Sequence, residues 1–269
     1  MQLSETSHLE SMVNFGNIAI IGGTGFERLP PDMFGEDIVV ETNFGDVHLM
    51  SVSNNYVEPY KLYFLSRHGS THGLAPHQIN YRANIAALQQ LEVRFILATN
   101  AVGALRTAMQ PGELVLMDDF IDYTRNRQVT MMGVEPGGEK WNHTDFSNPY
   151  SENLRTAIRN AAENVGLSLH TRCTYLCVDG PRFESPAEVR MFAAWGADVV
   201  GMTGLPEAIF AREAKIDYAA VGIITNLAAG LCSQPVSHEG VVDAMALQIP
   251  IVRELLLEAC AVIRRQQGF

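Results

Sequence analysis

The stretch Asn17-Ile-Ala-Ile-Ile-Gly-Gly-Thr-Gly25 governs how this chain is read. Its first five residues are almost all apolar, the composition of a short buried strand. Glycines then end the run abruptly. A strand entering a glycine turn invites a dinucleotide-binding reading, with Glu41 roughly 20 residues onward as the acidic partner. That motif needs a helix directly after the turn. Pro30-Pro31 and Gly35 leave it no room, and the third glycine is missing. Two readings survive: a plain tight turn, or a loop that meets an oxyanion or phosphate through backbone N–H groups and the Thr24 hydroxyl.

Further strand-like runs follow at 38–41, 47–52, 63–66, 95–99, 114–117, 174–178, 199–202 and 218–225. Helical spacing covers 78–91, 151–165, 187–195 and 206–214, with Gly166 closing the second of these. Ser237 is a fair N-cap for a long C-terminal helical region, which Pro250 should kink or split. The alternation predicts one α/β domain over 17–269, a mixed, mostly parallel central sheet flanked by helices on both faces. Residues 1–16 read as a flexible polar extension. The polar segment 122–150 is too long for a simple connection, and such loops often carry function. In sheets of this kind ligands bind beyond the carboxyl ends of strands. Thr24, Asn100, Glu184, Met202, Thr203 and Asn226 all fall at such places.

The chain has 269 residues, 47% of them apolar, enough for a sizeable core. Its formal net charge of −11 argues against nucleic acid as a partner. Lysine is scarce (Lys61, Lys140 and Lys215), so a phosphate site would rest on chosen arginines and backbone N–H groups. The N-terminus carries acid and lacks an apolar core, unlike a signal peptide, and no apolar run approaches a membrane span. Cys173, Cys177, Cys232 and Cys260 show neither zinc nor redox-pair spacing. A reducing, cytoplasmic location is expected.

Asn226, in Ile-Ile-Thr-Asn (223–226), and Glu184, in Gly-Pro-Arg-Phe-Glu-Ser (180–185), carry the sharpest chemistry. An amide offers a donor beside an acceptor, and an ionised carboxylate only accepts. A 6-oxopurine presents O6 as acceptor and N1–H as donor, whereas adenine reverses both. If the two side chains share a pocket, they favour an oxo group at position 6. Arg67-His68-Gly69 ends a strand and supplies a planar fork suited to phosphate oxygens, against the blander reading of a surface loop. His68, His72 and His77 lack a carboxylate or cysteine at ligand spacing, so no metal is expected. The small residues 98–105 let backbone approach a ligand, or simply pack. Thr203 can donate to an oxyanion. Met202 suits the face of a sugar or base, although singly it reads as core. His238 follows the likely cap and is either an exposed first-turn histidine or a partner for a substrate hydroxyl. His143, in the long loop, can reach another subunit's pocket.

Together these segments resemble the trimeric purine nucleoside phosphorylase and methylthioadenosine phosphorylase family, from about Ile18 to the C-terminal helix. The motifs are the Gly-Gly-Thr-Gly strand end, Arg67-His68-Gly69, Ile79-Asn80-Tyr81 with Ala83-Asn84, Gly103 with Leu105-Arg106, Gly-Pro-Arg-Phe (180–183), Gly201-Met-Thr with Pro206-Glu207, and Ile-Thr-Asn (224–226). Within the family the likeness is strongest to S-methyl-5'-thioinosine phosphorylases, through 143–150 and 201–208. The resemblance implies phosphorolysis of a 6-oxopurine nucleoside by a homotrimer that needs no cofactor, with phosphate as co-substrate. It places Thr24, Arg67, His68, Thr203 and the backbone of Ala101 on phosphate, and Met202 on the ribose. Phe183 would flank the base, Glu184 and Asn226 would read it, and His143 would reach a neighbouring subunit's 5' pocket. Methylthioadenosine enzymes carry Asp where Asn226 stands and a small residue where Glu184 stands, and both departures point away from adenine. S-methyl-5'-thioinosine is the expected substrate. The alternative is inosine or guanosine, because His238 stands where those enzymes direct a histidine toward the 5'-hydroxyl.

Overall fold

The stretch 17–22 is a strand at the middle of the sheet in a computed structural model. The structure describes residues 16–27, 33, 35–52, 60–69, 73–133, 142–232 and 235–266. Residues 1–15 of the expected extension over 1–16, Pro30-Pro31 and His72 lie outside the described residues. In chain order the elements are β1 (Asn17–Gly22), β2 (Gly35–Val40), β3 (Val47–Val52), β4 (Leu62–Ser66), α1 (Tyr81–Gln90), β5 (Val93–Ala104), β6 (Leu114–Leu116), β7 (Asp119–Asp122), α2 (Glu152–Asn164), β8 (Thr174–Cys177), α3 (Pro186–Ala194), β9 (Val199–Gly201), α4 (Glu207–Glu213), β10 (Asp217–Leu227) and α5 (His238–Gln266).

The sheet is mixed. β1 pairs parallel with β4 and β5, β5 with β10, and β8 with β7 and β9. The pairs β2·β3, β3·β4, β6·β10 and β5·β9 are antiparallel. Alternation along β1 divides its side chains between two cores. Ala19 and Ile21 join the core that includes Ile85, Leu88 and Phe210 of α1 and α4. Ile18 and Ile20 join the one that includes Ile158, Leu255 and Leu256 of α2 and α5. Helices therefore cover both faces, as the alternating pattern requires.

Several elements differ from the sequence reading. The helix expected from 78 starts at Tyr81, because Asn80 caps it by accepting from the Ala83 N–H at 3.1 Å, and Pro76–Gln78 forms a separate 3-10 turn. The strand at 95–99 extends through Ala104, since pairing with β10 along its length overrides the weak propensity of Asn100 and Gly103. β7 was not anticipated: four residues with acid at both ends show no periodicity. α5 is not split but runs through Pro250, whose ring removes the N–H that would bond the Ala246 carbonyl. Both residues face solvent, so water can serve that carbonyl.

One topological feature makes the site. β5 pairs with β1 only as far as Ala98, opposite Ile21. It meets β9 only from Gly103, opposite Val200. Between these points the sheet forks, and the β5 edge over 99–102 is open on one side.

Candidate active site

A cavity of about 460 Å³ opens at this fork, a size suited to a small ligand. Thr24 reaches it from the loop after β1, Ala101 from the open edge of β5, and Met202 and Thr203 from the turn after β9. Phe183 and Glu184 enter from the β8–α3 loop, Asn226 from the end of β10, His68 from the end of β4 and His238 from the first turn of α5. Among the candidate residues Arg67, Asn100 and His143 stand apart from the lining.

Asn226 owes its position to a bulge. The register passes from Ile224↔Val102 to Asn226↔Gly103, leaving Thr225 as the extra residue. Neighbouring strand side chains normally point to opposite faces. The bulge re-aims them, and both Thr225 and Asn226 line the cavity. The Thr225 hydroxyl donates to Asn226 Oδ1 at 2.8 Å, and Nδ2 donates to the Leu227 carbonyl at 3.0 Å. Each amide atom retains capacity for one further bond, so the group can still face a ligand with an acceptor and a donor.

Glu184 is 9% exposed, and its buried Oε1 has no hydrogen-bond partner among the described residues. Burial raises its pKa above the ordinary carboxylate value. A buried acceptor without a donor is costly, and a ligand N–H would supply one.

The other polar groups have defined senses. Asn100 Nδ2 donates to Thr203 Oγ1 at 3.0 Å, which leaves the Thr203 hydroxyl proton to donate elsewhere. His68 Nδ1 lies 2.9 Å from the Leu74 carbonyl, which can only accept, so Nδ1 carries a proton and donates it there.

Two of the backbone donors in the glycine loop are used within the chain. The Gly23 N–H donates to Thr99 Oγ1 at 2.9 Å and the Gly25 N–H to Glu27 Oε1 at 2.7 Å. Thr24 is the loop residue on the cavity wall. Gly23 is needed for close approach, because a Cβ there would lie 2.8 Å from the Thr99 carbonyl oxygen and 3.0 Å from Arg67 Nη1.

Arg67 lies below the cavity. It is 1% exposed and its guanidinium lies beneath the loop rather than in the cavity. Nε and Nη2 grip the two oxygens of Glu207 at 2.7 Å, and Nη1 donates to the Thr99 carbonyl at 2.8 Å. Burial opposes its charge, but Glu207 more than offsets this and holds the guanidinium pKa above its ordinary value. The Tyr218 hydroxyl also donates to Glu207, at 2.8 Å. A deeply buried carboxylate has captured the fork that the sequence assigned to phosphate. His143 is exposed on the surface of the chain, away from the cavity.

Sequence reasoning missed Arg127. This residue sits in the long polar segment, and its side chain is almost wholly buried. Nη2 donates to the carbonyls of Met202 at 2.6 Å and Asp179 at 3.1 Å, and Nη1 to that of Leu205. The guanidinium also lies over the Tyr81 ring and 3.4 Å from the Asp179 carboxylate. It ties the turn after β9 to the loop that leads to Glu184. The only sequence signal was the length of the loop. Among the described residues, no group of His, Cys, Asp or Glu side chains is arranged to hold a metal ion.

The description "Phosphorylase superfamily" belongs to a family model that matches residues 17–261. A probable 6-oxopurine nucleoside phosphorylase of Dictyoglomus turgidum is 42% identical over 251 residues, covering 93% of each chain. A probable S-methyl-5'-thioinosine phosphorylase of Methanopyrus kandleri is 42% identical over 215 residues, 80% of each. Among solved structures, a methylthioadenosine phosphorylase from Schistosoma mansoni in complex with adenine superposes with a TM-score of 0.86 at 32% identity. That superposition covers 93% of this chain and 92% of the other.

Proposed function

The chain belongs to the phosphorylase superfamily, and from that premise we propose that it is a purine nucleoside phosphorylase cleaving the N-glycosidic bond of 6-oxopurine nucleosides with inorganic phosphate. The observation that carries the reading is that Asn226 and Glu184 line the same cavity. Glu184 accepts N1–H of the base. Asn226 donates from Nδ2 to O6 and accepts from N7–H with Oδ1. Phosphate is held by the hydroxyls of Thr24 and Thr203, His68 and the backbone of Ala101, with Met202 against the ribose and Phe183 beside the base. Arg67 acts from below, by fixing the glycine loop.

The reaction needs no cofactor and no covalent enzyme intermediate. Phosphate attacks C1' as the bond to the purine breaks, through a sugar with oxocarbenium character. Holding both reactants at fixed geometry removes much of the barrier. Phosphate oxygens stabilise the positive charge that develops on the sugar. The departing purine gathers negative charge and a proton at N7, so its bonds to Asn226 strengthen as the bond breaks, which is differential binding.

S-methyl-5'-thioinosine is the proposed substrate, with Val241 giving the 5' end of the cavity an apolar wall. Inosine or guanosine is a second reading, favoured by His238, which lines the same cavity one helical turn before Val241. We place the enzyme in the cytoplasm as a homotrimer in which the exposed His143 of one subunit closes a neighbour's 5' pocket. The burial of the Cys173, Cys177 and Cys260 thiols is compatible with a reducing compartment.

Release of the free base, hypoxanthine or adenine, tests the reading. S-methyl-5'-thioinosine, inosine and S-methyl-5'-thioadenosine are each supplied with and without phosphate. Release from the two 6-oxo nucleosides only when phosphate is present is the expected result. Rapid cleavage of the 6-amino nucleoside by the native enzyme would end the proposal.

Glu184 adds a pH signature. Its raised pKa means that it gains a proton above the ordinary carboxylate range as pH falls. A protonated carboxyl at the N1–H position has lost much of its accepting power. The kcat/KM for inosine should therefore fall on an acid limb above that range, and Glu184→Gln should remove the limb while lowering activity. Superimposable acid limbs in the two proteins would refute the role.

A further inference from the structure

We infer that Tyr175 is a positioning residue for the phosphate site, its phenol oxygen fixing the backbone from which Thr203 reaches the cavity. The inference rests on the proposed role of Thr203. Tyr175 lies on β8 and is fully buried, away from the cavity wall. Its oxygen accepts the consecutive N–H groups of Thr203, at 3.2 Å, and Gly204, at 3.1 Å. Its own proton goes to Cys177 Sγ at 3.5 Å. A phenol has two accepting positions and one proton, and all three are assigned here, so its orientation is fixed.

The ring is seated by the motif it supports. A Cβ at Gly201 would lie 2.9 Å from the Tyr175 hydroxyl oxygen and from Cε2. One at Gly204 would lie 2.7 Å from Cε1. The two glycines that bracket Met202 and Thr203 therefore make room for an aromatic ring below the turn.

This arrangement decides what Thr203 can offer. Its N–H is spent on Tyr175, so it serves a ligand through its hydroxyl. The hydroxyl oxygen accepts from Asn100 at 3.0 Å, and its proton is left for an anion in the cavity. Tyr175 fixes the main chain of Thr203 and Asn100 fixes the side chain. Removing the phenol oxygen leaves two buried N–H groups without their acceptor, and the turn must shift to satisfy them.

Tyr175→Phe keeps the ring and removes only that oxygen. Leaving a buried N–H without its acceptor costs the equivalent of about 10-fold in an equilibrium constant. The KM for phosphate, and its Kd measured by calorimetric titration, should each rise about 10-fold, while the KM for the nucleoside stays within about twofold. Gly204→Ala, which pushes the ring from its seat, should move the same constants in the same direction. Circular dichroism and thermal melting establish that the variants are folded. A folded Tyr175→Phe with native phosphate KM and Kd would overturn the inference, as would a parallel rise of both KM values. Native enzyme that binds phosphate yet releases no hypoxanthine would defeat the phosphorolysis reading alone, and the titration would still decide the role of Tyr175.

Discussion

Asn226→Asp should lower kcat/KM for inosine or S-methyl-5'-thioinosine by about 10³-fold or more. The substitution exchanges the Nδ2 donor for a second acceptor, so O6 meets a carboxylate oxygen where it met an N–H. Removing a single donor that stabilises a developing charge costs about 10²–10³ in rate. A site built on buried polar partners rejects a mismatched base by about 10⁴–10⁵. The expected loss lies between these limits because the Oδ1 contact to N7–H is retained. Adenosine use should rise only slightly in this variant, because the Glu184 carboxylate still opposes the N1 acceptor of adenine. Adding Glu184→Ala should raise it further. A local effect must be separated from the catalytic one, since the Leu227 carbonyl, now 3.0 Å from a donor, would face an oxygen. A melting curve on each variant does so. Unchanged preference between hypoxanthine and adenine nucleosides in a folded Asn226→Asp would remove the base-reading assignment.

Glu207→Ala should destabilise the fold by about 3–5 kcal/mol, since it leaves the Arg67 guanidinium buried without its partner. Arg67 and Glu207 are both fully buried as side chains and bound through two parallel bonds of 2.7 Å. Tyr218 would lose its acceptor as well. For a domain of this size the cost corresponds to a fall in melting temperature of roughly 10 °C. The loop above should loosen, because Arg67 Nη1 also holds the Thr99 carbonyl and Thr99 Oγ1 holds the Gly23 N–H. Replacing the whole set (Arg67→Met, Glu207→Met and Tyr218→Phe) should recover most of the stability, since apolar substitutes for a buried ion pair are often neutral or better. If Glu207→Ala melts within about 3 °C of the native protein, the network is not what holds the loop.

The alternation of apolar runs with helical spacing was legible because each strand and helix needs only local pattern to declare itself. β1, β3 and β8 came within a residue or so of their bounds, and the expected N-cap Ser237 accepts from the N–H of Gly240, three residues on, at 3.1 Å. The elements read less well were those whose pairing overrides propensity. β5 continues through Asn100 and Gly103 only because β10 runs beside it, and β7 exists only because β8 does. Asn226 and Glu184 stood out because their donor and acceptor signs match one face of a base. Arg67 reads two ways for the same reason: a fork that suits phosphate also suits a carboxylate, and nothing local marks Glu207 as buried beneath it. Arg127 gave no signal beyond the length of its loop, and Tyr175 gave none, since most of their partners are backbone carbonyls and N–H groups, which carry no side-chain signature.

By itself, the sequence determined the layered α/β architecture and the kinds of group available at the strand ends, because periodicity and side-chain chemistry are local properties. Only the tertiary structure decided which of these groups meet. The fork beside β5 opened the cavity, the bulge at Thr225 turned Asn226 into it, and Glu207 drew Arg67 out of it. Register, partner choice and burial are set by residues far apart along the chain, and no local pattern encodes them.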